Sequence, residues 1–272
     1  MPVRWLAPNN LSRMAFGVAG PLATPLVSSQ TTQDLILAAF AGGITAFDTG
    51  PAYGAGEAER RLGAALTPVP RDSVFISTKA GVLENKTRDF SAKAISASLD
   101  RSLERLGCDY VDALFMHGPG AAELNDELAA VLQKEKQRGR VRMLGMAGRG
   151  AEIDAAIKLG VFDVLMAPVH GGLSATEEQR LRDAQRAGMG VFGIEVLTGA
   201  SAGLRWPCNI ADFWYSARAI RHGKFAAPHL SATRVLQTAL QSDLADVVMV
   251  STTRQKHLQD ALRILDEAQQ NT

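Results

Sequence analysis

The sequence predicts an α/β protein, a single closed (β/α)8 TIM barrel spanning residues 1–272. Three observations point there. Eight short apolar runs alternate with longer amphipathic stretches, the pattern of repeated strand-helix units. The length of 272 residues suits a barrel, which ordinarily takes about 250. An open doubly wound sheet would call for a GxGxxG fingerprint after the first strand, where FGVAGPLATP supplies Gly17 and Gly20 but not the motif.

The first strand is expected at 14–18, with a helix at 32–41 that Gly42 and Gly43 terminate, because glycine takes the left-handed conformation at little cost. The second unit places a strand at 44–47 and a helix at 56–66. In the third, the strand at 74–77 leads to a helix at 92–106, where Ile95, Leu99, Leu103 and Leu106 make one apolar face and Gly107 follows as the stop. The fourth and fifth units read as strands at 111–115 and 141–146 with helices at 122–138 and 151–159, the latter closed by Gly160. A strand at 162–167 and a helix at 175–187, followed by Gly188, form the sixth. The seventh strand, 190–194, runs into a long insertion near 199–230, read as irregular from 206 to 228 and expected over the C-terminal face. A helix at 233–241 follows it, and the strand at 247–250 and helix at 255–268 close the chain.

Composition limits the partners. With 46% hydrophobic and 21% charged residues the chain matches an ordinary globular protein, and a net charge of +1 gives no field to gather nucleic acid or an anionic membrane. No run approaches the roughly 18 apolar residues of a membrane span, and MPVRWLAPNN has no apolar leader core. Cys108 and Cys208 are the only cysteines and neither lies in a metal-binding spacing, so no disulfide framework or metal site is expected and the compartment is a reducing cytoplasm. A small-molecule partner remains; the sequence carries no signal of oligomeric state.

In a barrel of this kind chemistry sits at the C-terminal ends of the strands. Asp48 follows the second strand, Tyr53 lies in the loop after it, Lys79 follows the third strand and His117 the fourth. A phenol is ordinarily too weak an acid to exchange protons well at neutral pH, and a neighbouring ammonium stabilises its phenolate. Lys79 can play that part beside Tyr53, Asp48 can hold the ammonium, and His117 can orient a substrate oxygen. Such a set suits a carbonyl or the matching alcohol, with the hydride drawn from a cofactor, since no side chain can supply one. Taken singly, each residue has a plain structural use: Asp as a helix cap, Lys or His as a solvated or satisfied group. Four at three successive strand ends are hard to obtain from capping alone.

These segments resemble the aldo-keto reductases. GGITAFDTGPAYGAGEAERRLGAAL, VFISTKAG and DYVDALFMHGPG carry the resemblance most specifically; RGRVRMLGMAGRG, FDVLMAPVHGG and VVMVSTTRQKHLQDAL extend it over nearly the whole chain. It implies an NAD(P)-dependent oxidoreductase on a (β/α)8 barrel without a Rossmann fold, with Tyr53 as proton donor, Lys79 and Asp48 tuning it and His117 orienting the carbonyl. The resemblance also implies NADP(H) or NAD(H) as the cofactor. Its contacts are expected at Gly17, Asp48, His170, Glu195, Leu197 and Gly199, and at Ser251, Thr252, Thr253, Arg254 and Gln259, where the last helix offers backbone N–H groups to phosphate. The chain departs from the family pattern where Ala147-Gly148 replaces Ser-Asn at the nicotinamide amide, and where Gln259 and Ala261 replace an arginine and an asparagine. His170 has the alternative of capping its strand end, and Glu195 that of pairing with Arg149 or Arg205. Trp206, Phe213, Trp214, Tyr215 and Phe225 give the insertion an apolar wall over the mouth or a packed core of its own. The LGMAG segment and His170 are more similar to the sugar-oxidising branches, such as galactose and arabinose dehydrogenases, than to the long-loop aldose reductases. Two other functions use the same residues: a cofactor-binding sensor with slight turnover, and a lyase using Tyr53 and Lys79 without hydride transfer.

Overall fold

The computed structural model describes residues 8, 11–200, 210–221 and 230–270. Its strands are β1 Met14–Gly17, β2 Ala46–Asp48, β3 Phe75–Ala80, β4 Val111–His117, β5 Val141–Ala147, β6 Val164–Pro168, β7 Gly190–Ile194 and β8 Val247–Val250. Each pairs in parallel with the next, and β8 returns to β1, with Ala15 opposite Met249, so the barrel closes and leaves no sheet edge. The expected (β/α)8 fold is the observed one.

Successive strand residues point alternately into the barrel and out to the helices. The inward set is a small core of its own, built from Phe75, Phe115 and Phe192 with Ala15, Ala46, Ala113, Ala147, Val164, Met166 and Val247. Phe192 touches both other rings, at centroid distances of 5.9 Å to Phe75 and 5.6 Å to Phe115. The alanines opposite leave room for three aromatics in one narrow cylinder. Gly145 does so most directly, since a Cβ there would lie 2.4 Å from the Phe115 ring. The outward set packs against the helices in the larger core, which includes Ile76, Leu114, Leu144 and Val248.

The helices are α1 Ser29–Ala41, α2 Glu57–Leu66, α3 Ala92–Leu106, α4 Asp126–Gln137, α5 Glu152–Leu159, α6 Ala175–Arg186, α7 Ile210–Arg221, α8 Ala232–Gln241 and α9 Gln255–Gln270. Ser28, Ser91, Asn125 and Ser174 accept a backbone N–H three residues on and so cap α1, α3, α4 and α6. Gly107 and Gly160 end α3 and α5 at φ of 65° and 70°, the left-handed stops read from the sequence. Among the described residues no helix is long and apolar enough to cross a membrane.

Three expectations are corrected. The segment at 122–138 is not one helix: a 3-10 turn, Ala121–Glu123, comes first, and α4 begins only after Asn125 has capped it. The stretch read as irregular contains α7; residues 206–209 and 222–228 of that stretch lie outside the described residues. Among its described side chains Ala211 and Ala219 are buried while Phe213 and Ile220 are exposed. The sequence carried a usable signal, since Ile210, Phe213, Trp214 and Ala217 stand at helical spacing. β3 and β4 also run further than their apolar runs. Lys79 pairs with Phe115 and His117 with Ala147 inside the ladder. The polar residues at these ends belong to the strands because the mouth of the barrel is where the interior turns polar.

Candidate active site

Asp48 ends β2, level with Gly17 on β1 and Ser77 on β3. Residues Ser77 and Lys79 are two apart on β3 and so face the interior together. Both reach Asp48: the Ser77 hydroxyl donates to Oδ1 at 2.8 Å and the Lys79 ammonium to Oδ2 at 2.5 Å. Lys79 donates again to the Thr49 carbonyl at 2.7 Å. Asp48 is 7% and Lys79 3% exposed. Burial works to lower the Lys79 pKa, but the charge and hydrogen bond of Asp48, joined by Tyr53, overcome it and raise it above its ordinary value. The ammonium is thus charged and pinned at neutral pH.

Tyr53 lies in the bend between β2 and α2, with its N–H donated to the Gly50 carbonyl. Its ring stands edge-on to that of His117 at 5.9 Å, and Lys79 Nζ lies 5.1 Å from the ring centroid. Gly54, next in the chain, has φ of 61°, and a Cβ there would fall 2.0 Å from the Ala23 carbonyl oxygen. Close approach of the β1 loop therefore requires glycine beside the tyrosine.

His117 is the last residue of β4. Burial first, then the charges of Lys79, Arg88 and Arg149, lower its pKa to about 4. The ring is neutral at pH 7 and offers one N–H. Its Nδ1 is buried and has no hydrogen-bond partner among the described residues. A buried polar nitrogen without a partner is costly, and here it belongs to a ring that stands beside that of Tyr53. Asp48, Tyr53, Lys79 and His117 thus converge at one mouth, as the strand-end reading expected.

The residues expected on the cofactor side lie around the same rim but are partly engaged with one another. Arg149, after β5, donates to Glu195, after β7, at 2.6 Å, so Glu195 takes the pairing alternative and takes it with Arg149; Arg205 lies outside the described residues. Glu195 sits at φ of 57°, uncommon for a residue with a Cβ. His170 Nδ1 accepts from the Gly172 N–H at 3.1 Å and so caps the turn after β6, the other alternative read for it. Leu197 and Gly199 lie in the tight turns after β7, where the Ala200 N–H donates to the Leu197 carbonyl and the Leu230 N–H to that of Gly199. Beyond β8, Ser251 is exposed, Thr253 half-buried, and the Thr252 hydroxyl accepts the Arg254 N–H at 3.1 Å. Arg254 donates to Asp212 on α7 at 2.6 Å, and Gln259 is exposed on α9. The indole of Trp214, also on α7, lies against Gly20 of the β1 loop. Phe213 and Tyr215 are exposed, and Trp206 and Phe225 lie outside the described residues.

Sequence reasoning missed Ser77, although a hydroxyl two residues before Lys79 on a strand was a usable signal. It also missed Arg88, which donates to the Gly118 carbonyl at 2.8 Å and to Glu123 at 2.9 Å and so steadies the loop after His117. No local pattern marks Arg88, because its partners lie thirty or more residues away.

A model described as the aldo/keto reductase family matches residues 13–203. The chain is 34% identical over 199 residues to an L-galactose dehydrogenase of Arabidopsis thaliana, covering 69% of this chain and 62% of that protein. It is 34% identical over 167 residues to a D-threo-aldose 1-dehydrogenase of a Pseudomonas species, covering 48% and 51%, and 33% identical over 178 residues to the NADH-specific methylglyoxal reductase of Escherichia coli, covering 58% and 55%. The matches thus span between half and two thirds of those relatives' lengths. Among solved structures, an aldo-keto reductase of Bacillus halodurans superposes with a TM-score of 0.76 at 20% identity, covering 94% of this chain and 87% of that one. The glycerol dehydrogenase of Gluconobacter oxydans does so at 0.73 and 21%, covering 100% and 94%. At such identities the structural likeness speaks for the fold alone.

Proposed function

The chain belongs to the aldo/keto reductase family, and from that premise we propose that it interconverts a carbonyl compound and the matching alcohol, with Tyr53 as the group that gives or takes the proton. The observation that carries the reading is the convergence of Tyr53, the buried Lys79–Asp48 pair and a neutral His117 whose Nδ1 has no partner among the described residues. Tyr53 passes its proton to the carbonyl oxygen; the Lys79 ammonium, held by Asp48 and the Thr49 carbonyl, stabilises the phenolate left behind. His117, being neutral, donates a hydrogen bond to the same oxygen and orients it without competing as the acid.

A nicotinamide dinucleotide, NADPH or NADH, supplies or accepts the hydride when bound. His170, Leu197 and Gly199 would hold it on one side of the mouth, and Ser251, Thr252, Thr253 and Arg254 at the start of α9 on the other. Sugars lead the substrates to test, because the similar proteins include an L-galactose dehydrogenase and a D-threo-aldose 1-dehydrogenase. A reducing cytoplasm stays the proposed compartment, on the cysteine usage of the sequence.

Titration with NADPH and with NADH, followed by nicotinamide fluorescence, and an assay of aldehydes and aldoses with wild type and Tyr53→Phe test the reading. Wild type should bind at least one cofactor and turn over a carbonyl or sugar, and Tyr53→Phe should lose about a hundredfold or more in kcat with cofactor binding retained. Binding of neither cofactor overturns the proposal. A second reading, a cofactor-binding barrel with slight turnover, keeps the same site residues. Binding without Tyr53-dependent turnover across the panel selects that reading.

A further inference from the structure

The buried carboxylate of Glu59 takes no part in the chemistry just described, yet it is wholly excluded from solvent. It lies in the first turn of α2, six residues beyond Tyr53. The Thr78 hydroxyl donates to its Oε1 at 2.5 Å and the Arg105 guanidinium to its Oε2 at 2.6 Å. Thr78 is itself fully buried on the helix-facing side of β3, immediately before Lys79. Arg105, on α3, also donates to Glu84 in the loop after β3 at 2.8 Å, and Arg101 donates to the same carboxylate at 2.9 Å. Gly56, at φ of 84°, lets the Arg105 side chain cross the tyrosine bend, since a Cβ there would come within 2.8 Å of it. One carboxylate therefore joins the helix that follows Tyr53 to the strand that carries Lys79.

A buried ion pair is weak evidence for stability, because desolvation cancels much of the attraction. It is better evidence for geometry, since a carboxylate without water must find its donors in one arrangement. We infer that Glu59 is a positioning residue: through Thr78 and Arg105 it sets α2 against β3 and so fixes the placing of Tyr53 relative to Lys79. Glu59 touches neither reacting group; it acts through the backbone on both. Proton transfer falls steeply when its partners are misplaced by even an ångström, whereas binding a dinucleotide across the rim does not sense that spacing.

The inference rests on the proposed reaction. Thr78→Val keeps the side-chain volume and removes the donor to Glu59; Thr78→Ser restores the donor; Glu59→Gln keeps the shape and removes the charge. For Thr78→Val and Glu59→Gln the expected result is a fall of about tenfold or more in kcat, with carbonyl KM and cofactor dissociation constants within about twofold of wild type and Thr78→Ser close to wild type. Should Glu59→Gln fail to fold, Thr78→Val and Thr78→Ser decide the matter. A Thr78→Val enzyme with lowered melting temperature and wild-type kcat shows a merely structural contact and overturns the inference alone. Wild type without Tyr53-dependent turnover overturns the reaction and this role together.

Discussion

Lys79 and Asp48 depend on each other more than on anything else in the site. Removing one partner of a buried pair leaves the other charged without water, a loss of about 3 kcal/mol or more. Lys79→Met should therefore both destabilise the protein and abolish turnover, while cofactor affinity changes only severalfold, because Lys79 contacts Asp48 and Thr49 and not the rim. Adding Asp48→Asn should return much of the lost stability in urea denaturation and none of the activity. Recovery of activity in the double variant would contradict the role given to Lys79. His117 makes a separate prediction. Its pKa is lowered from 6.5 to about 4, chiefly by burial and then by three nearby cations. Between those values the unfolded chain binds the proton that the folded one refuses, so stability falls as pH drops through about 6.5 to 4. His117→Gln should flatten that part of the urea-midpoint profile; an unchanged slope counts against the assignment.

The helix α2 and the bend before it show how an element is placed by contacts its own sequence does not announce. Arg61, nearly buried, donates to the carbonyls of Leu22 and Val27 at 2.9 and 2.7 Å, holding α2 to the β1 loop, while Glu59 holds it to β3 and α3. Gly54 sits at the point of closest approach between that loop and the bend. Gly54→Ala should cost about 2 kcal/mol or more, since it combines a strained backbone with a clash against a carbonyl. Because Tyr53 adjoins it, kcat should fall as well; a stable, fully active Gly54→Ala enzyme would show the bend to be slack. The location and type of the units surrounding this site were legible from apolar period and glycine stops. Asp48, Tyr53, Lys79 and His117 were legible too, as polar residues breaking the apolar runs at strand ends. The limits of β3 and β4 were not, because a polar residue inside the barrel mouth looks, in one dimension, like the start of a loop.

Across the whole molecule, closure of β8 on β1 makes every strand part of one interior. Phe192 on β7 reaches Phe75 on β3 and Phe115 on β4 across that interior. Phe192→Ala should cost about 3–5 kcal/mol, and for a single domain it should shift one cooperative transition rather than split it. Two separate transitions by circular dichroism and fluorescence would argue against one domain. What could be read in one dimension was the class of fold, the order of its strands and the four polar groups at its mouth, since period, glycine stops and chemical type are local properties. What needed three dimensions was the choice of partners: Glu195 with Arg149, Arg254 with Asp212, and Glu59 with both Thr78 and Arg105. Those pairs lie 19 to 46 residues apart. A strand or helix period says which way a charged side chain points, but only the packed neighbours decide which opposite charge it meets and whether water is left between them.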